Sequence, residues 1–415
     1  MQTRPVWVEI SLPKLTVNYL ELRRIAAIRP GPATEILAVV KANAYGHGLL
    51  QCAPTLVAAG ASWIGVTSVE EGVAARTACP KPNILIMSGI FPGEADAVIE
   101  HRLTPLVWET YHLDLLEAAA RSAGLTPESI PVHLELDTGM ARQGLRPDPP
   151  AIAEILQRFH PLSALKLEGI ATHFSAPEAL DGRDTERQIA HFKAAIEQIA
   201  RQGHRPTWIH AGNSATLLRG DHFAPLQEIA AAIGAKLMLR PGLALYGYPP
   251  RFTHDDKTIA MKANPAPSQL SPVLEWKTRI NSIRIIVIGE SAGYNSTFRA
   301  DRPTRLALIP MGYADGLNRL LSNRGSVLVR GQRVPIVGRV SMDQTILDIT
   351  DIPQVAIGDQ VTVIGKQGDQ SISAYDLADL TETIPYEVLC GIAARVPRLP
   401  IDEGKTPEEA GAIGW

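Results

Sequence analysis

Three cysteines, Cys52, Cys79 and Cys390, are scattered along the 415-residue chain, with no CxxC pair among them. An odd, dispersed set excludes a disulfide framework and a cysteine zinc site, and it suits a reducing compartment. No uncharged apolar stretch is long enough to span a bilayer. The first thirty residues carry Arg4, Glu9, Lys14 and Glu21 and lack an apolar core, so no signal peptide is expected. An excess of one charge is missing too: the formal net charge is −3 with both signs interspersed. That leaves no electrostatic footprint for nucleic acid or an anionic membrane. Internal repeats and low-complexity tracts are absent. What is left, 45% hydrophobic and 20% charged, describes an ordinary globular chain, expected in the cytoplasm and long enough for one large domain or two moderate ones.

Apolar runs alternate with helical patterns through the first 240 residues. The strand candidates are ILAVV (36–40), WIGVT (63–67), ILIM (84–87), TPLVW (104–108), VHLEL (132–136), LEGIAT (167–172), TWIH (207–210) and KLML (236–239). Continuous apolar strands separated by helices imply parallel pairing buried on both faces. Eight such units predict a closed (β/α)8 barrel. Before the first of them, Leu15, Tyr19, Leu22 and Ala26 share one helix face, with Ser11 as N-cap. Past about residue 260 the texture changes: strand-like runs such as LEWKTRINSIRIIVI, SVLVRG and QVTVIG follow one another without long helices. The expected architecture is therefore a barrel over residues 12–262 and a mainly antiparallel β domain over 263–415, with residues 1–11 pairing into the β domain.

The active site of such a barrel lies at the C-terminal ends of its strands. Those ends carry Lys41, the DTGMAR run ending at Arg142, His173, His210 followed by Gly212-Asn213-Ser214, and Arg240-Pro-Gly242. Each has a bland reading, as a snorkelling lysine, a satisfied core histidine, a structural ion-pair arginine or a helix cap. Their convergence on one mouth points further. An amine together with a phosphate-type loop after the last two strands is what pyridoxal 5′-phosphate (PLP) requires, and Lys41 is the amine. No metal is expected.

The runs KANAYGHG, DTGMARQG, THFS, HAGNSA, RPGLALYG, GYADG, GRVSMDQ and YEVLC, with the RPVWVEI opening, resemble alanine racemase in order and over nearly the whole chain. The resemblance implies a PLP-binding barrel, a C-terminal β domain and a head-to-tail homodimer with shared active sites, acting on a small amino acid. It implies that Lys41 binds PLP and serves one face of the substrate, and that Tyr294 of the partner subunit's β domain serves the other. Arg142 and the backbone of Met342 would hold the substrate carboxylate. Tyr45, Ser214, Gly242, Leu243 and Tyr386 would hold the phosphate, with His173 by the pyridine ring and Arg240 at its nitrogen. Tyr313 and Asp343 would support the site. An arginine cannot give up its proton, so it would keep the pyridine nitrogen unprotonated and weaken the ring as an electron sink. The family role is supply of D-alanine for peptidoglycan.

Two positions depart from the family's pattern. Glu135 stands where many members carry a lysine that takes up CO2 as a carbamate and helps position the arginine. Either Glu135 pairs with Arg142 directly, although it is shorter by ~4 Å, or it is a structural or water-bridged carboxylate. Asn295 follows Tyr294 where the family usually has glycine, and asparagine tolerates a left-handed backbone. The stretch HFAPLQEIAAAIGAK reads as an added helix. Rival readings are a racemase of broader or serine specificity, a PLP-dependent decarboxylase on the same architecture, and a PLP carrier protein, which would lack the β domain.

Overall fold

The computed structural model describes residues 4–28, 33–253, 260–261 and 269–401. The expected boundary between residues 262 and 263 lies outside them. The chain forms two compact units. One consists of Met1–Lys14, Tyr45–Gly48 and Pro272–Trp415, the other of Leu15–Ala44 and Leu49–Ser271.

The second unit holds the closed barrel, and its eight strands pair in parallel in chain order. With β1 kept for Val6–Ser11, they are β2 (Glu35–Val39), β3 (Trp63–Val66), β4 (Asn83–Ile86), β5 (Thr104–Val107), β6 (Ile130–Leu136), β7 (Leu165–Thr172), β8 (Trp208–His210) and β9 (Lys236–Leu239). Their apolar residues are buried almost without exception, as strands covered on both faces must be. The helix Arg183–Arg201 shows how the outer ring is built: Ile189, Phe192, Ile196 and Ile199 recur at helical spacing and are buried. The helix Phe223–Ala232 lies inside the stretch read as an addition.

The first unit is built on a ten-stranded, mainly antiparallel sheet. β1 lies inside it, antiparallel to Leu274–Arg279 and parallel to Arg398–Ile401. The exposed start of this sheet is Ser282–Ile286. The fold class is the one expected from the sequence.

Candidate active site

Lys41 follows the end of β2, where the backbone does something the sequence does not announce. Ala42, Asn43 and Ala44 adopt left-handed helical angles (φ 52, 53 and 56°) and Tyr45 follows at φ 53°. Four consecutive left-handed L-residues cost about 1–2 kcal/mol each, so neighbours must hold them. The Ala44 amide donates to the Val40 carbonyl at 2.7 Å, and the Asn43 amide donates to Glu71 Oε1 at 3.1 Å. The Asn43 side chain in turn accepts from the Leu49 amide at 2.8 Å, while Tyr246 Oη donates to the Val39 carbonyl at 3.0 Å. In the other unit, Tyr45 lies with its ring centroid 5.8 Å from that of Tyr386, and burial pushes the Tyr45 phenol up. Gly46 has no room for a side chain, because a Cβ there would meet the Leu389 carbonyl oxygen at 2.2 Å.

Arg240 is the hub of the barrel mouth. Its Nη1 donates to His210 Nδ1 at 3.1 Å and to the His210 carbonyl at 2.8 Å. Its Nη2 donates to the Thr172 carbonyl at 2.8 Å and to His173 Nδ1 at 3.1 Å. A guanidinium has five N–H donors; the fifth, on Nε, makes no hydrogen bond among the described residues. Burial pushes Arg240 down to about 10, against the pull of Glu135, so it stays charged at neutral pH. Burial, helped by the positive charges of Arg240, Arg142 and Lys41, pushes His173 down to about 3, so its imidazole is neutral.

The last two βα loops meet at a hydroxyl. Ser214 Oγ accepts from the Gly242 amide at 3.1 Å and from the Ala244 amide at 3.2 Å, and its own proton is left to donate. Asn213 caps the short helix that starts at Ser214, accepting from the Ala215 amide at 2.9 Å. Gly212, at φ 83°, lets the chain turn where a Cβ would strike Thr216 at 2.7 Å.

Arg142 sits on a loop wound tightly onto β6. Asp137 Oδ1 accepts from the amides of Gly139, Met140 and Ala141 at 2.9–3.0 Å, and Leu145 bonds back to the Glu135 carbonyl at 2.8 Å. Among the described residues the Arg142 guanidinium makes no hydrogen bond or ion pair. It lines a cavity of about 940 Å³ together with Trp108, Thr138, Gln143 and His191. The direct Glu135–Arg142 pair needs correction. Glu135 is buried and takes a hydrogen bond from Gln143 Nε2 instead, because Gln143 lies beside it and also donates to the Met87 carbonyl at 2.9 Å. Burial raises the Glu135 carboxyl, while Gln143, Arg240 and Arg142 pull it back.

The candidates in the first unit are more open. Tyr294 is 68% exposed, and Asn295 next to it takes the left-handed angle (φ 61°) that glycine would otherwise supply. Tyr313 and Met342 are also exposed. The Tyr313 amide donates to the Ser341 carbonyl and the Ala314 amide to the Met342 carbonyl, both at 3.0 Å. Gly312 permits that approach, since a Cβ would lie 2.2 Å from the Ser341 oxygen. Beneath them Asp315 is fully buried and accepts from Arg4, from Arg395 at 2.8 Å and from the Gly312 amide at 3.0 Å. Burial alone would raise its carboxyl, but these donors hold it below the usual range. Arg395 also donates to Asp343 at 2.6 Å, which tethers the segment after Met342. Asp315, Arg395, Gln143 and the left-handed turn were missed from sequence. GYADG contained Asp315, but nothing in its spacing told buried from exposed.

The donor set suits PLP: an amine at Lys41, a hydroxyl donor at Ser214, and one uncommitted guanidinium N–H for a ring nitrogen. Among the described residues no group of three or more His, Cys, Asp or Glu side chains is placed to hold a metal, and no helix is long and apolar enough to cross a membrane. Comparison with known proteins is consistent along the chain. The family models for the alanine racemase N-terminal and C-terminal domains match residues 10–250 and 273–400. An alanine racemase of Symbiobacterium thermophilum is 37% identical over 95% of this chain and 97% of its own length, and one from Halothermothrix orenii matches equally. The solved alanine racemase of Bacillus anthracis with bound L-Ala-P is 30% identical, with a TM-score of 0.82 over 98% of this chain and 97% of that one. The Bartonella henselae enzyme with covalently bound pyridoxal phosphate is 28% identical, with a TM-score of 0.78 over 96% and 99%.

Proposed function

The chain belongs to the alanine racemase family, and from that premise we propose how its own side chains interconvert L- and D-alanine. The cofactor is PLP, which when bound supplies an electron sink conjugated to the substrate α-carbon and so acidifies the α-hydrogen. Racemisation then needs a proton removed from one face and returned to the other. Lys41 Nζ serves one face, and Tyr294 Oη, from the partner subunit, serves the opposite face. Arg142, with its free guanidinium, and the Met342 amide hold the substrate carboxylate. Ser214, Gly242 and Leu243 hold the cofactor phosphate, with Tyr45 and Tyr386 contributing their hydroxyls. His173 lies by the ring.

The observation that carries this reading is Arg240. Four of its protons are fixed on protein acceptors, and the one on Nε is available to a pyridine nitrogen. A charged group that only donates holds that nitrogen unprotonated and tempers the sink, which favours returning the proton over side reactions.

We further propose a head-to-tail homodimer acting in the cytoplasm and supplying D-alanine for peptidoglycan. The exposed apolar row Ile285, Val287 and Ile288 on the first unit supports a second copy there. The test is exchange of the L-alanine α-hydrogen with solvent deuterium, with circular dichroism followed in parallel. Exchange with loss of optical activity is expected. Bound PLP with neither exchange nor racemisation of alanine would sink the alanine reading, and serine would be tried next.

A further inference from the structure

The bonds of Arg240 do not end at His210. His210 Nε2 lies 2.8 Å from His133 Nδ1, and His133 Nε2 lies 3.4 Å from Glu168 Oε2. Both imidazoles are fully buried, and the Glu168 side chain is 22% exposed.

The direction of every proton in this row follows from its ends. Arginine only donates, so His210 Nδ1 accepts and His210 carries its proton on Nε2. That proton is donated to His133 Nδ1, which places the His133 proton on Nε2, facing Glu168. A carboxylate only accepts, so the row closes without conflict. All donors point from Arg240 towards Glu168. Burial pushes both histidines below their ordinary range, consistent with two neutral rings.

The row is built into the barrel. β6 and β7 slip register at this place: Val132 opposes Leu167 but His133 opposes Gly169, so Glu168 is the extra residue of a bulge. Bulges are rare between parallel strands and re-aim side chains. Gly169 leaves room for the ring, because a Cβ there would lie 2.7 Å from His133 Cγ and Nδ1. Trp63 covers the other side, its centroid 5.4 Å from that of His133.

We propose that Glu168 and His133 are remote positioning residues for the cofactor, fixing through His210 the tautomer that accepts from Arg240 and so leaves the Arg240 Nε–H for the pyridine nitrogen. This deepens the alanine racemase reading and rests on it. If the Glu168 acceptor is removed, His133 has no reason to keep its proton on Nε2. A proton on His133 Nδ1 faces the His210 Nε2–H and drives that ring to the Nδ1–H form, which confronts the donors of Arg240. The guanidinium then turns, and its contact with the ring nitrogen weakens.

The experiment uses PLP-loaded enzyme labelled with 15N-histidine, in which one- and two-bond couplings read the tautomer of each ring. Wild type is expected to show Nε2–H at both His133 and His210. Glu168→Leu is expected to show Nδ1–H at His133, a changed visible absorbance of the bound cofactor, and kcat for alanine lowered roughly tenfold. Glu168→Gln, which keeps an acceptor but loses the charge, should keep the wild-type tautomers with a smaller change in absorbance. A proton on Nδ1 of His210 in wild type overturns the proposal, as does a folded Glu168→Leu enzyme with wild-type tautomers and spectrum. Should Glu168→Leu fail to fold, the wild-type enzyme still decides, because a proton on Nδ1 of His133 overturns the proposal as well. The tautomers are read whether or not alanine is racemised, so failure of the functional reading shows separately, as wild-type protein that binds PLP and leaves alanine unchanged.

Discussion

In the barrel, Arg240 places four protons on protein acceptors and Ser214 takes two amides; in the β unit, Tyr294 stands 68% exposed and its hydroxyl makes no hydrogen bond among the described residues. The barrel groups have their geometry set before any ligand arrives, which is what preorganisation requires. The backbone under Tyr313 and Met342 is held just as firmly, by Gly312, Asp315 and Arg395. Only the side-chain tips are free. A rigid base with open tips is the expected state of residues that complete a site on another subunit. The contrast is between barrel side chains already held by hydrogen bonds and β-unit side chains left exposed, which is the arrangement the proposed homodimer calls for.

The largest effect expected is in the barrel. Lys41→Ala should lower racemisation roughly 10⁴-fold or more and abolish covalent attachment of PLP, read by circular dichroism of alanine and by visible absorbance. A fully active Lys41→Ala enzyme would break the comparison at its stronger end. Tyr294→Phe should lower racemisation roughly 10²- to 10⁴-fold while leaving the melting temperature unchanged, since the hydroxyl makes no hydrogen bond among the described residues. It sharpens the comparison if α-hydrogen exchange survives from one enantiomer only.

Gly46→Ala tests the backbone side of the contrast. Its φ of 79° and the Leu389 oxygen 2.2 Å from the new Cβ should cost roughly 2–5 kcal/mol, measured by chemical denaturation. The smallest effect is pH dependence. Burial pushes His173 down to about 3 and His112 to about 4, from an ordinary value of 6.5. The unfolded chain therefore binds protons first as pH falls. Stability from these groups is fully present above about 6.5 and is lost as pH falls through their folded values. Denaturation midpoints should drop steadily below pH 6.5, and His173→Gln should flatten the decline. A decline that His173→Gln leaves unchanged would remove His173 from the account.

All eight barrel strands were legible, within a residue or two, because strands buried on both faces appear as unbroken apolar runs. The ends of those runs also located Lys41, His173, His210 and Arg240, since a strand's last residue is fixed once the strand is found. What escaped depended on register and on handedness. Nothing in VHLEL and LEGIAT says that Glu168 is skipped in pairing, so the row from His133 to Glu168 could not be drawn. Glu135 read either as a direct partner for Arg142, because it stands where the family carries a carbamylated lysine, or as a structural carboxylate, and its hydrogen bond goes to Gln143. KANAYGHG named the lysine and hid the turn behind it, as an L-alanine resists the left-handed region and gives no sign of it in the sequence.

That turn carries a stereochemical consequence. Ala42 and Ala44 hold angles that are the mirror image of an ordinary helix, a conformation L-alanine resists and D-alanine prefers. Rebuilt by chemical synthesis with D-alanine at both positions, those two residues would lose the Cβ crowding that L-alanine meets there. The chain thus sets the lysine proposed to bind the cofactor immediately before a stretch of backbone for which D-alanine is the better building block.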